Sequence, residues 1–274
     1  MDAARRNLID AVDQSVGEAV PQFDGIGWVR TEVPSAATLA VRFRQDADGF
    51  TDVRVRRALQ LGVSNATVRD IAAPEAVVGE NHHVAPIHPD YAPLEPPEHD
   101  PAAAVALLTE AGMQDHAFTL VSLDDAWQAL TCDAVAAQLN DAGITVRRQI
   151  EPGHTYWQNW RDYGFSGTSW NMRPLGIQVL QLAYRSDAAW NETGFADPRF
   201  DAALDEALAI SEPEARKPAM ARLENLLREN GVLIQPYWRT LVRHMSPRVH
   251  GVDIQPTLVH RHHEWWIDPP PEAP

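Results

Sequence analysis

Cysteine and lysine are each present once. Cys132 alone excludes an intrachain disulfide framework and a cysteine-built zinc cage. It falls in DDAWQALTCDAVAAQLNDAG, where a small buried thiol is expected. Lys217 stands alone among the basic residues, and the formal net charge is −15. That balance leaves no basic footprint for nucleic acid and no attraction to anionic lipid. No apolar run approaches the ~18 residues a membrane-spanning helix requires. The opening MDAARRNLIDAVDQSV mixes acids with its apolar residues and lacks a signal-peptide core. A cytosolic protein, or a mature or shortened form of a longer chain, is expected. There is no Gly-rich phosphate loop and no G-x-S-x-G elbow. The acid pairs Asp124-Asp125 and Asp201/Asp205 fit a helix start or a solvated helix face, so they receive no acid–base role. No catalytic residue, no cofactor and no internal repeat are assigned.

What is present is the balance of a globular protein, with 45% apolar and 22% charged residues over 274 positions. That length suits one large domain or two ordinary ones. Residues 3–19 have the spacing of a helix, with Leu8, Ile9, Val12 and Val16 on one face. Trp28 to Phe43 reads as extended, with a turn at Pro34-Ser35. A helix capped by Asp52 follows, burying Val55, Ala58 and Leu59 between the solvated Arg54, Arg56 and Arg57. Prolines crowd residues 74–101 and forbid continuous helix or a central strand. A connection of that length is usually functional or a surface wrap. Asp100-Pro101 opens a helix that Gly112 closes. FTLVSL, an amphipathic helix burying Trp127, Leu130, Ala134, Val135 and Leu139, and ITVRRQI form a parallel βαβ unit. HTYWQNWRDYGF reads as a short helix. Asp197-Pro198 starts a helix burying Phe200, Leu204 and Leu208, and Ser211 and Glu214 have capping-box spacing for the next. Pro218 should disturb that helix early, and Gly231 should end it. VLIQPYW reads as a buried strand and residues 247–259 as extended.

The densest aromatic stretch is Phe165 to Phe195, holding Trp170, Arg173, Tyr184, Trp190 and Asn191. Large rings with a few placed polar groups suit a small-molecule cleft, although aromatics at this density are more often core.

The order of segments resembles the C-terminal half of family 5 extracellular solute-binding proteins, the peptide, nickel and opine receptors of ABC importers. FTDVRVRRALQLGVS (Phe50–Ser64) is similar to the family's FDDVRVRQAL, and HDPAAAVALLTEAG (His99–Gly112) to YDPEKAKALLAEAG. VAAQLNDAGITV (Val135–Val146) is similar to QLKKIGIKV, and WNETGFADPRFDAAL (Trp190–Leu204) to N-x-SGYSNPEVDAL. Glu214 to Tyr237 resembles the helix that closes in P-x-I-P-x-Y, here VLIQPY, and PRVHGV (Pro247–Val252) resembles PGVKGV. The resemblance covers residues 30–255. It implies an α/β type II periplasmic-binding-protein lobe from a partial chain, a mixed sheet flanked by helices. Residues 1–45 would be the end of lobe I and a hinge, 46–245 the ligand-closing lobe, 246–268 a return strand to lobe I, and 269–274 a disordered tail. Hinges would lie near residues 40–48 and 244–256. The implied function is the substrate-binding component of an ABC importer, periplasmic or extracytoplasmic, not an enzyme, with a membrane permease as partner. Its ligand would be a small peptide-like or carboxylate-bearing solute in an interlobe cleft.

One departure bears on the ligand. Peptide-binding members carry an acid a few positions after the central Gly-Trp, where it meets the peptide's ammonium. Here Trp170 is followed by Asn171, Met172, Arg173 and Pro174, with no acid before Asp187. A guanidinium grips a carboxylate or phosphate and repels an ammonium. The expected site is therefore Trp170 and Trp190 as walls, Arg173 as an anion clamp, and Asn171 and Asn191 as ligand-side residues. The alternative has Arg173 paired to an acid of its own lobe and Asn191 capping a turn.

The histidines invite a nickel or zinc reading, with His82, His83 and His88 in the proline-rich loop and His260, His262 and His263 near the C-terminus. Neither group has helical spacing, and HHEWW lacks the second histidine of HExxH, so no metal ligand is assigned. A ligand-sensing regulatory domain and a metal-dependent hydrolase remain as alternatives. A cleft face rich in aromatics, if uncovered, invites association, which leaves a homodimer open.

Overall fold

The computed structural model describes residues 1–269. The expected disordered tail lies outside the described residues from position 270 on. The chain divides into two compact units, Met1–Ser35 with the chain from Thr240 onward, and Ala36–Arg239.

The first unit departs from expectation at once. Residues 3–19 do not form one helix. They give a short helix α1 (Asp2–Arg5) and a strand β1 (Ala11–Val12), and helix α2 (Ala19–Gly25) starts only afterwards. Positive φ at Asn7 and Gly17 interrupts the helical path, and Leu8 is exposed. Strand pairing with a distant partner overrides the local pattern. Strand β2 (Val29–Phe43) then runs for 15 residues with no turn at Pro34-Ser35. Proline suits extended backbone, and only its missing N–H bars it from a ladder.

In the second unit, α3 (Val53–Leu61) starts where the Asp52 carboxylate accepts the Arg54 N–H. Arg54 and Arg57 are exposed, as the solvated-face expectation requires. Arg56 is not. It is buried, and its guanidinium donates to the carbonyls of Phe50, Thr51 and Asn230. Burial pulls its pKa down to about 10. Helix α4 (Asn65–Ala72), unforeseen, is capped by Ser64. Strand β3 (Val77–Val78) precedes the long proline-rich loop. Asp100 and Pro101 open α5 (Pro101–Glu110), and Gly112 leaves it with φ +69°.

Strand β4 (Phe118–Leu123), helix α6 (Ala126–Asp141) and strand β5 (Val146–Glu151) form the parallel βαβ unit, in register from Phe118↔Val146 to Leu123↔Glu151. Leu130 of α6 faces solvent rather than core. Next come α7 (Gly153–Asn159), β6 (Phe165–Trp170), α8 (Gly176–Ala183), α9 (Pro198–Leu208) and α10 (Pro213–Glu229). Asp197 caps α9, but Leu208 at its end is exposed. Helix α10 opens on Pro213 with no side-chain cap, so the Ser211 capping box does not form, and Pro218 is carried inside the helix without ending it. The strand expected at VLIQPYW is broken by Gln235-Pro236 into β7 (Leu233–Ile234) and β8 (Tyr237–Met245). Only β9 (Val249–His250) is strand in the 247–259 stretch. It pairs with β10 (Trp266–Ile267) in the first unit.

The second unit is built on a mixed sheet. β6 runs antiparallel to Thr38–Phe43 of β2 and parallel to β4. Leu39, Val41 and Phe43 point into one core with Phe50, Phe118 and Phe165. Ala40, one step out of phase, points into the other, with Trp170, Phe195, Phe200 and Leu223. This two-residue alternation leaves Arg42 on the same face as Ala40.

Gly79 marks a close approach. Its N–H donates to the Pro236 carbonyl, and an added Cβ would sit 2.1 Å from the Gln235 carbonyl oxygen. Gly79→Ala is expected to destabilise the chain by about 3 kcal/mol, read as a lower urea midpoint. An unchanged midpoint would mean that the Gln235-Pro236 break yields freely.

Candidate functional site

Four tryptophans converge on one cavity of about 450 Å³, lined by Trp157, Trp160, Thr168, Ser169, Trp170, Asn171, Arg173 and Trp190. β6 ends at Trp170 and delivers the turn carrying Asn171 and Arg173. The α7 end supplies Trp157 and Trp160. Trp170 and Trp190 meet edge to face at 5.9 Å, and the Arg173 guanidinium lies 5.9 Å from the Trp190 ring. Trp170 is 6% exposed, whereas Trp157 and Trp190 are 46% and 47% exposed. One ring belongs to the core and two face outward, which is the form of a wall against which a ligand packs.

A buried ion pair holds that wall. Glu192, beneath it, accepts from the Arg42 Nε at 3.0 Å, the Thr168 hydroxyl at 2.5 Å and the Trp170 Nε1 at 2.8 Å. The remaining nitrogens of Arg42 donate to the carbonyls of Trp160 and Tyr163. One carboxylate and one guanidinium thus fix the β6 indole and the segment bearing Trp160. Tyr156, also buried, donates its hydroxyl to the Gly167 carbonyl at 2.7 Å.

The Arg173 turn is held by the proline-rich loop. His88 accepts the Ala85 N–H at Nδ1, 2.9 Å, and donates from Nε2 to the Arg173 carbonyl, 3.0 Å. Asp90 accepts the N–H groups of Gly176 and Ile177, the first of α8, and a guanidinium N–H of Arg216 at 3.1 Å. It therefore does the work of an N-cap from a remote loop. Arg173 itself donates only to carbonyls of its own turn, Asn171 and Met172. Among the described residues it forms no ion pair with a carboxylate.

Comparison with known proteins identifies the family. The profile of bacterial extracellular solute-binding proteins, family 5 Middle, matches residues 1–191. The chain belongs to that family. A comparison with curated proteins gives no match. Solved structures similar to this family 5 chain include the ABC transporter substrate-binding protein CtaP from Listeria monocytogenes, at TM-score 0.86 and 15% identity, over 97% of this chain and 57% of that one. The oligopeptide-binding protein AppA from Bacillus subtilis, solved with a nonapeptide, aligns at 0.85 and 14%, over 98% and 58%. The murein tripeptide-binding protein MppA from Escherichia coli aligns at 0.84 and 20%, over 97% and 56%. The chain thus spans a little over half the length of these proteins. Their fold is shared: a mixed sheet flanked by helices, of the type II periplasmic-binding-protein class.

Of the residues singled out from sequence, the family 5 chain brings Trp170, Asn171, Arg173 and Trp190 to one cavity. Asn191 does not line it. Its amide donates to the Arg185 and Phe195 carbonyls and accepts from the Thr193 N–H and hydroxyl, which closes its own loop. Sequence reasoning missed Arg42 and Glu192, which lie 150 positions apart, and the anchoring roles of His88 and Asp90. A buried-face arginine at Arg42, between Val41 and Phe43, was the one available signal. Of the histidines considered as metal ligands, His82, His83, His88 and His260 are engaged within the fold, and His262 and His263 are exposed. His82 donates to Glu80, His83 meets the Tyr184 hydroxyl at 2.7 Å, and His260 meets Asp13. Burial lowers the pKa of His83 to about 3, keeping it neutral. Among the described residues no group of three or more metal-ligating side chains is placed to hold a metal ion.

Proposed function

We propose that this chain is the ligand-gripping part of the substrate-binding component of an ABC importer, and that its solute is small and peptide-like or carboxylate-bearing. The observation that carries this reading is Arg173, a guanidinium without a carboxylate partner among the described residues, at the rim of an aromatic cavity. An unpaired guanidinium supplies the planar fork that a carboxylate accepts in bidentate fashion. The tryptophans contribute apolar area and flat faces, and Asn171 offers an exposed amide beside them. Family 5 members are binding proteins. In this reading the wall serves as one face of a site that closes because the ligand binds the closed state more tightly. The chain would then act outside the cytoplasm and present its closed form to a membrane permease.

Native mass spectrometry of the gently purified chain tests this. A retained mass of a few hundred daltons containing a carboxylate is expected. Arg173→Ala should lower its occupancy, corresponding to about 2 kcal/mol for one charge-assisted contact. Retention of the same ligand at unchanged occupancy by the Ala variant would overturn the anion clamp.

A further inference from the structure

We infer that His88 is a positioning residue for the anion site: through the Arg173 carbonyl it sets where the Arg173 guanidinium stands. The inference rests on the reading of Arg173 as the ligand's anion clamp. His88 is 3% exposed, and both of its ring nitrogens are used in opposite senses. Nδ1 accepts from Ala85 and Nε2–H donates to Arg173 across 85 positions of chain. This arrangement requires the neutral imidazole in one tautomer. It also leaves no lone pair for a metal.

The connection is a strap rather than a single contact. Asp90, two residues on, holds the first two N–H groups of α8. The segment from Arg173 to Ile177 is therefore gripped at both ends by one loop. That loop carries left-handed backbone at Asn81 and His83, both at φ 63°. Non-glycine residues in that region persist only where their surroundings hold them, and they mark functional segments more often than chance. Arg173 has few other restraints. Its guanidinium touches its own turn and the Trp190 face. Its backbone position is thus fixed from outside its own segment, and the fixing atom belongs to His88.

Two replacements separate the two nitrogens. In His88→Gln the amide nitrogen can reach the place of Nε2 and keep the bond to Arg173. In His88→Asn the amide oxygen can stand for Nδ1 and keep the bond to Ala85, while the bond to Arg173 is lost. The probe is iodide, an anion that quenches tryptophan on collision, compared with neutral acrylamide. Arg173→Ala should lower iodide quenching with acrylamide quenching unchanged, because Trp190 lies beside the guanidinium. His88→Asn should lose at least half of the same increment, and His88→Gln, which also loses the ring, should keep it. If His88→Asn is quenched like the wild type, the positioning role is wrong. If both His88 variants lose the increment together with several degrees of melting temperature, His88 only packs the loop, and the inference fails. If Arg173→Ala itself changes nothing, the anion clamp fails first, and the inference falls with it.

Discussion

Glu192→Ala is expected to lower the stability of the chain by about 3–5 kcal/mol, the range found when one partner of a buried ion pair is removed. Arg42 is 0% exposed and has no water to turn to. Its Nε would lose its charged partner, while its other nitrogens stay committed to the Trp160 and Tyr163 carbonyls. The Trp170 indole and the Thr168 hydroxyl would lose their acceptor in the same step. Both a drop in the urea midpoint and a change in the near-ultraviolet circular dichroism of the tryptophans should follow. The paired replacement Arg42→Met with Glu192→Leu provides the contrast. A dry apolar pair can replace the two charges at little loss, so only the part of the stability owed to the uncompensated Arg42 charge should return, while the Trp170 indole and the Thr168 hydroxyl stay without their acceptor. The ordering of the aromatic wall should not return, because the Trp160 and Tyr163 carbonyls are left without donors. Recovery of both would show that the pair serves stability alone.

The contrast between local and distant determinants explains what the sequence disclosed. Helix starts at Asp52, Asp100 and Asp197 were legible because the cap and the amide it accepts lie within three residues. The parallel βαβ unit was legible because its apolar periods and its Gly143 stop are all within one segment. The N-terminal segment was misread because Ala11 and Val12 take their geometry from Met245 and His244. Arg56 was misread because the carbonyl of Asn230, 174 positions away, is among its acceptors. The site divides the same way. Trp170, Asn171, Arg173 and Trp190 lie within one stretch and could be nominated together. The arginine of the ion pair comes from β2 and the strap from the proline-rich loop, and no local pattern announces that Glu192, within the stretch itself, pairs with a residue 150 positions away. Ser211 had the spacing of a capping box, yet Pro213 fills the first turn of α10 without it. Spacing alone does not decide between two adequate starts.

Behind the strap lies the second large effect, and it depends on pH. Glu224 of α10 is wholly buried, and among the described residues no side chain hydrogen-bonds its carboxyl: His82 Nε2 stays 3.9 Å away, and the Ala92 backbone amide favours its charged form only weakly. Burial, with the charges of Glu80 and Asp90 adding to it, raises its pKa from 4.5 to about 9. Glu80 goes the other way. Burial pushes its pKa up, but hydrogen bonds from His82 and Tyr91 outweigh that and hold it below the usual value. Of the two carboxyls, Glu80 is the ionised one and Glu224 the protonated one. The sign follows from linkage. Between pH 4.5 and about 9 the folded chain keeps the Glu224 proton that the unfolded chain has released. Stability therefore falls as pH rises through that window, by up to about 1.4 kcal/mol per unit, and the penalty vanishes below it. Glu224→Gln keeps the neutral shape and removes the titration. Its melting temperature should match the wild type near pH 4.5 and exceed it by a margin that widens steadily towards pH 9. A constant margin across that range would mean that Glu224 is ionised in the folded chain, and that a cation or ordered water compensates it beside His82.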